Sequence, residues 1–168
     1  MGLGKRRIAN RRLVELVEGL GYTDAWTYIS SGNVVFDAPG RRADIERRIE
    51  QAVEADVGFE ATTFVRSAAE LSRLRDRRPF GEVAAPHTYF VTFLKEAPTA
   101  TGVAALEALG NDFDTLVVDG RDVHWLMRGK STDTLLTKKR WEGVVGVNQS
   151  TSRNTTMLYK LVGKLEAG

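Results

Sequence analysis

"DTLVVDGRDVHWLMR", residues 114–128, decides how the chain is read. Two runs rich in β-branched and apolar residues flank Asp119-Gly120, a hairpin dipeptide in which both turn residues are expected at positive φ. An antiparallel strand pair is therefore predicted, and the neighbouring segments take their places around it. Upstream, "TYFVTFL" (88–94) has enough apolar residues to be a strand buried on both faces, and Val103, Leu106 and Leu109 mark a helix that stops near Gly110. Downstream, a helix is predicted from Ser131 to about Trp141, with Gly143 and Gly146 ending it. "STSR" (150–153) reads as a short strand, and Asn154 as the cap of a last helix carrying Leu158, Leu161, Val162 and Leu165.

Written in order, this half is βαββαβ plus a final helix. That is the split-βαβ, ferredoxin-like plan, in which helices cover one face of an antiparallel sheet. The first half repeats the scheme with one strand fewer. Leu13, Leu16, Val17 and Leu20 recur at helical spacing and Gly21 follows at the C-cap, which predicts a helix over 9–20. "DAWTYIS" and "VVFDA" read as strands joined through Ser31, Gly32 and Asn33. Ile45, Ile49, Ala52 and Val53 form the next helical stripe, closed by Gly58, and "FEATTFVR" (59–66) is predicted as a strand. "SAAE" (67–70) is a capping box opening a linking helix that ends at Pro79. The expectation is an α+β chain of two ferredoxin-like halves, an incomplete one over 1–80 and a second over 81–168 with an extra C-terminal helix.

Composition narrows the function classes. The chain has 168 residues, 42% hydrophobic and 27% charged, an ordinary globular balance. Twenty-two acids mixed among 24 bases make a formal charge of +2, weak for a nucleic-acid binder. With no cysteine, disulfides, thiol catalysis and thiolate metal sites are excluded together. No apolar run reaches the ~18 residues of a membrane span, and no apolar segment follows the basic start "MGLGKRRIANRR". A cytoplasmic protein with no membrane partner is expected.

The segments "LGYTDAWTYISSGNVVF" (20–36), "FVRSAAEL" (64–71), "YFVTFL" (89–94) and "TSRN" with Lys160-Leu161 resemble the bacterial family called domain of unknown function 1697. The resemblance runs over nearly the whole chain and implies two ferredoxin-like halves in tandem, with no activity established for the family. Three departures stand out. Of the opening strand and Arg-Gly-Ile-Asn-type loop of the family, only Gly4 and Lys5 match; the aromatic after its Arg-Asn pair is Thr155 here, and its next Asn is Thr156.

No catalytic residue, cofactor or metal site is expected, although an enzyme of unrecognised type stays open as a third reading behind anion and nucleic-acid binding. His87 and His124 stand 37 residues apart without a ligand pattern around them, and His124 reads as a residue of a sheet face. Nucleophile-elbow, P-loop and dinucleotide motifs are absent. Basic clusters at 5–12, 73–78 and 137–140 read as solvated helix faces, so a nucleic-acid partner is disfavoured, and "SGNVVFDA" and "TYFVTFLK" lack the aromatic pattern of an RNA-recognition motif. The candidate ligand-binding residues are Ser31, Gly32 and Asn33 in the first hairpin turn, and Arg153 and Asn154 where the last helix begins. Successive turn amides, and an arginine next to a helix N-terminus, suit a small anion near the junction of the halves. In the ferredoxin-like order 4-1-3-2 the strand missing from the first half lies mid-sheet, so an open or poorly paired slot is expected between "VVFDA" and "FEATTFVR". About 12 upstream residues would then complete it, and the chain is expected as a monomer unless another chain supplies that strand.

Overall fold

The hairpin forms, with its turn one residue further on than expected. In the computed structural model, which describes residues 8–29 and 32–168, Asp119 pairs with Asp122 and the turn residues are Gly120 and Arg121. Positive φ is confined to Gly120 (+60°), so only one turn residue needs it, not two. Gly120→Ala should cost about 1–2 kcal/mol through backbone strain, since no neighbouring atom crowds the new Cβ. Urea denaturation measures that loss.

The chain divides into two units at Arg66/Ser67. The first holds α1 (Asn10–Gly19), β1 (Thr23–Thr27), β2 (Val34–Asp37) and α2 (Arg42–Val57). Leu13 and Val17 of α1, and Ile45, Ile49 and Val53 of α2, are the buried stripes that the helical spacing predicts. β1 and β2 pair antiparallel, with Trp26 opposite Val35 and Thr27 opposite Val34. Val34 and Phe36 pack on the core formed by Ile8, Val17, Tyr22 and the α2 stripe.

Residues 59–66 correct the sequence reading. They form no strand apart from a single bridge at Thr62. The Thr63 N–H donates to Glu50 Oε2 (2.9 Å) and the Val65 N–H to Glu46 Oε2 (2.9 Å). Alternate amides of an extended chain face one side, and two carboxylates one helical turn apart on α2 take them. Side chains thus do what a neighbouring strand does in a ladder, and β-propensity is overridden. Gly4 and Lys5, which match the end of the family's opening loop, lie outside the described residues.

The second unit holds α3 (Ala68–Arg77), β3 (Thr88–Leu94), α4 (Ala100–Glu107), β4 (Asp114–Asp119), β5 (Asp122–Met127), α5 (Lys138–Val145), β6 (Ser150–Asn154) and α6 (Thr155–Ala167). Its sheet has the order β4-β5-β3-β6 and is antiparallel throughout, so the fold class is α+β with antiparallel sheets. The capping box forms: Glu70 N donates to Ser67 Oγ (3.1 Å) and Ser67 N to Glu70 Oε1 (3.2 Å).

Two features of this unit differ from the sequence reading. Helices cover both sheet faces, not one. Leu116, Val123, Trp125 and Met127 point to the face packed by Leu106 of α4 and Trp141 of α5. Tyr89, Val91 and His124 point to the other, where Tyr159 of α6 stacks edge-on to Tyr89 and α3 packs on α6. β3 requires this arrangement, because Tyr89, Val91 and Phe93 on one side and Thr92 and Leu94 on the other are all buried. The helix expected from Ser131 also starts late. A 3-10 turn at Ser131–Asp133 comes first, and α5 begins only after its N-cap, Thr137. The cause is Asp114, whose carboxylate takes the Thr134 hydroxyl (2.6 Å) and the Leu135 N–H (3.1 Å) and holds that stretch out of helix.

Candidate functional site

Arg153 and Asn154 stand where local sequence rules put them. Asn154 closes β6 and N-caps α6, its Oδ1 accepting from the Thr156 N–H at 2.8 Å. Arg153, paired with Val91, lies half-buried on the sheet face that α6 covers. Its Nη1 donates to Thr151 Oγ1 (2.7 Å) and to the Ser152 carbonyl (2.9 Å), which turns the guanidinium back along β6 and away from the first turn of α6. Burial lowers its pKa from the ordinary arginine value. Thr155, where the family pattern has an aromatic, is buried and donates its hydroxyl to the Tyr89 carbonyl at 2.9 Å, fastening α6 to β3.

The first hairpin closes as a turn. The Tyr28 N–H donates to the Asn33 carbonyl (3.1 Å), and Asn33 Nδ2 returns a bond to the Tyr28 carbonyl (3.3 Å). Asn33 thereby spends an amide proton on the turn, and Gly32 takes φ +91° to let the chain reverse. Ser31 lies outside the described residues. Gly32 and Asn33 belong to the first unit, Arg153 and Asn154 to the second.

The sequence reading missed two polar clusters. Asp114, fully buried, accepts from Trp125 Nε1 (2.8 Å), Asn111 Nδ2 (3.0 Å), Thr134 and Leu135. Burial pushes this carboxyl up, but the donors from Thr134, Trp125, Asn111 and Leu135 outweigh it and hold the pKa below 3.8. His124, also fully buried, bonds through Nδ1 to the Tyr89 hydroxyl (2.5 Å). Its Nε2 and the Tyr159 hydroxyl are buried without a hydrogen-bond partner among the described residues. Asp-to-Trp and His-to-Tyr contacts across strands carry no local signature.

Part of each basic cluster is compensated within its own unit. Arg12 pairs with Asp56 and Glu15, Arg75 with Glu166 (2.5 Å), Arg77 with Asp119 (3.2 Å) and Lys138 with Glu142 (3.6 Å). Charges so engaged make a poor track for a phosphate backbone. Among the described residues no group of three or more histidines or acids could hold a metal ion, and no helix is long and apolar enough to cross a membrane.

The sequence model described as "Protein of unknown function (DUF1697)" matches residues 2–124. The structure is similar to that of the conserved bacterial protein SP0830 from Streptococcus pneumoniae, at TM-score 0.72 and 17% identity over 99% of this chain and 93% of that one. At that identity the likeness is one of fold. No curated protein matches the chain.

Proposed function

Since the chain belongs to the DUF1697 family, for which no function is established, we propose from its own residues that it is a small-anion-binding protein with Arg153 as the charged contact. One observation carries this reading: a half-buried guanidinium at the end of β6, directly before the N-cap of a 13-residue helix. Helix N-termini and guanidinium groups both favour phosphate or carboxylate. In this reading the guanidinium gives up Thr151 and Ser152 when the anion arrives. Affinity for a simple anion is therefore weak, of the order of 1 mM, or about −4 kcal/mol. The Gly32-Asn33 turn, with Ser31 next to it, is a separate candidate within the first unit. The reading also takes the strand order β4-β5-β3-β6, which is 4-1-3-2 run backwards, as a ferredoxin-like half, and the first unit as its shortened repeat. A bacterial, cytoplasmic protein acting on small metabolites fits it, and its composition gives no reason to add a cofactor.

Titrating inorganic phosphate into the 15N-labelled chain tests the proposal. The Arg153, Thr155 and Thr156 amides should shift saturably, and Arg153→Ala should weaken binding about tenfold or more, as expected for a lost charge-assisted bond. The same substitution should cost about 1 kcal/mol of stability, because two hydrogen bonds of a half-buried side chain are lost. Phosphate shifts that survive unchanged in Arg153→Ala would remove it from the site. Binding that needs an oligonucleotide and collapses between ~50 and ~200 mM salt would instead favour a nucleic-acid partner.

A further inference from the structure

His124 sits on β5 beneath a layer made by α3 and α6, and nothing in the anion reading uses it. We propose that this helix layer is a cover released by acid, with His124 as the proton-sensitive latch. A neutral imidazole has one donor and one acceptor. The Nδ1–Tyr89 bond can form in either tautomer, and Nε2 has no partner among the described residues. A second proton on Nδ1 makes that atom a donor, so Tyr89 has to turn its own hydroxyl elsewhere, with Tyr159 edge-on beside it; a second proton on Nε2 finds no acceptor.

The surroundings do not receive the resulting cation well. Arg77 of α3 disfavours it, and Arg153 of β6 stands on the same face across Val91. Of the acids on this face, Asp119 of β4 favours the cation but is engaged with Arg77 at 3.2 Å, and Asp122 of β5 stands at the hairpin end. Tyr89 of β3 and Tyr159 of α6 contribute neutral phenols. Burial accordingly holds the imidazole below its ordinary 6.5. Lifting the layer lets water solvate the ring.

What lifts is defined by its fastenings. α6 is tied to α3 at the surface by Glu166, which takes Arg75 (2.5 Å) and the Ser72 hydroxyl (3.2 Å). It is tied to the sheet by Thr155 and by the ring contact of Tyr159. α3 is tied to the β4–β5 hairpin by Arg77 on Asp119 (3.2 Å) and by Glu70, which accepts from Arg121 (2.8 Å). When these two pairs open with the Thr155 and Tyr159 contacts, the two helices part from the sheet together while the β3–β5 and β4–β5 ladders stay closed. The open form binds one proton more than the closed form. Its population is then independent of pH well above 6.5 and rises about tenfold per pH unit below it, until His124 titrates in the closed form.

Hydrogen exchange on the full chain at pH 7.5, 6.5 and 5.5, corrected for intrinsic rates, reads this directly. The Leu158 and Leu161 amides of α6 should open up to tenfold more at pH 5.5 than at 6.5, with Val91 and Trp125 unchanged. His124→Gln should abolish the slope, and His87→Gln, at the exposed second histidine, should keep it. If His124→Gln fails to fold, NMR titration of the wild-type ring decides, with a His124 still neutral at pH 5.5 in support. Three results would overturn the proposal: α6 opening equally at pH 7.5 and 5.5, strand amides opening with the same slope as α6, or His124 titrating near 6.5 in the folded chain.

Discussion

Substituting alanine for Asp114 should lower the unfolding free energy by about 3–5 kcal/mol. The residue is fully buried, and its two oxygens satisfy the Trp125 indole, the Thr134 hydroxyl, the Leu135 amide and the Asn111 side chain. Alanine strands those donors away from water, at about 1–3 kcal/mol for each that finds no other acceptor. Asp114→Asn keeps one acceptor but turns an amide donor toward a cluster of donors, so a loss of about 2–3 kcal/mol is expected. Urea midpoints followed by tryptophan fluorescence measure both, since Trp125 packs against Trp141 and reports directly on the site. The pH dependence has a definite sign. Asp114 is held below 3.8 in the folded chain, so its contribution is complete above that value and is lost as pH falls through the lowered one. The stability gap between wild type and Asp114→Asn should therefore narrow on acidification toward pH 3. A gap that stays constant would mean that Asp114 is not the ionised hub.

The parts of this fold that were legible in the sequence are those fixed by neighbours a few residues away. The Ser67–Glu70 box, the Asn154 cap, the Gly58 stop and strand 88–94 all follow from local donors, acceptors and spacing. Two of the errors share a physical cause, which is a buried carboxylate distant in sequence capturing the groups of an otherwise regular segment. Asp114 reaches across 20 residues to Thr134 and delays α5, and Glu46 reaches across 19 to Val65 and dissolves a strand. Neither contact has a periodicity or a motif. The candidate site divides the same way. Arg153 at a strand end and Asn154 at a cap could be read off, whereas the backward turn of the guanidinium onto Thr151 could not, because it depends on the face that α6 covers.

Glu46 offers the second large effect, and its outcome bears on how the first unit closes. This carboxylate is 2% exposed and joins Arg42 Nη1 (2.6 Å) to the Val65 amide (2.9 Å). Glu46→Ala should cost about 2–4 kcal/mol, because a buried acceptor disappears beneath an amide and a guanidinium arranged around it. Glu46→Gln should cost about half as much, since its carbonyl can still take the Val65 N–H while the charge facing Arg42 is gone. Glu50→Ala removes the acceptor of the Thr63 amide, and the two alanine substitutions should be less than additive because they release one segment. Exchange at the Val65 amide should accelerate sharply in Glu46→Ala and only mildly in Glu46→Gln. Freed amides on an extended segment also offer an edge to a second chain. Sedimentation of Glu46→Ala at rising concentration should therefore show association that the wild type lacks at the same concentrations. If Val65 exchange is the same in Glu46→Ala and wild type, the carboxylate does not hold the segment, and its extended course has some other cause.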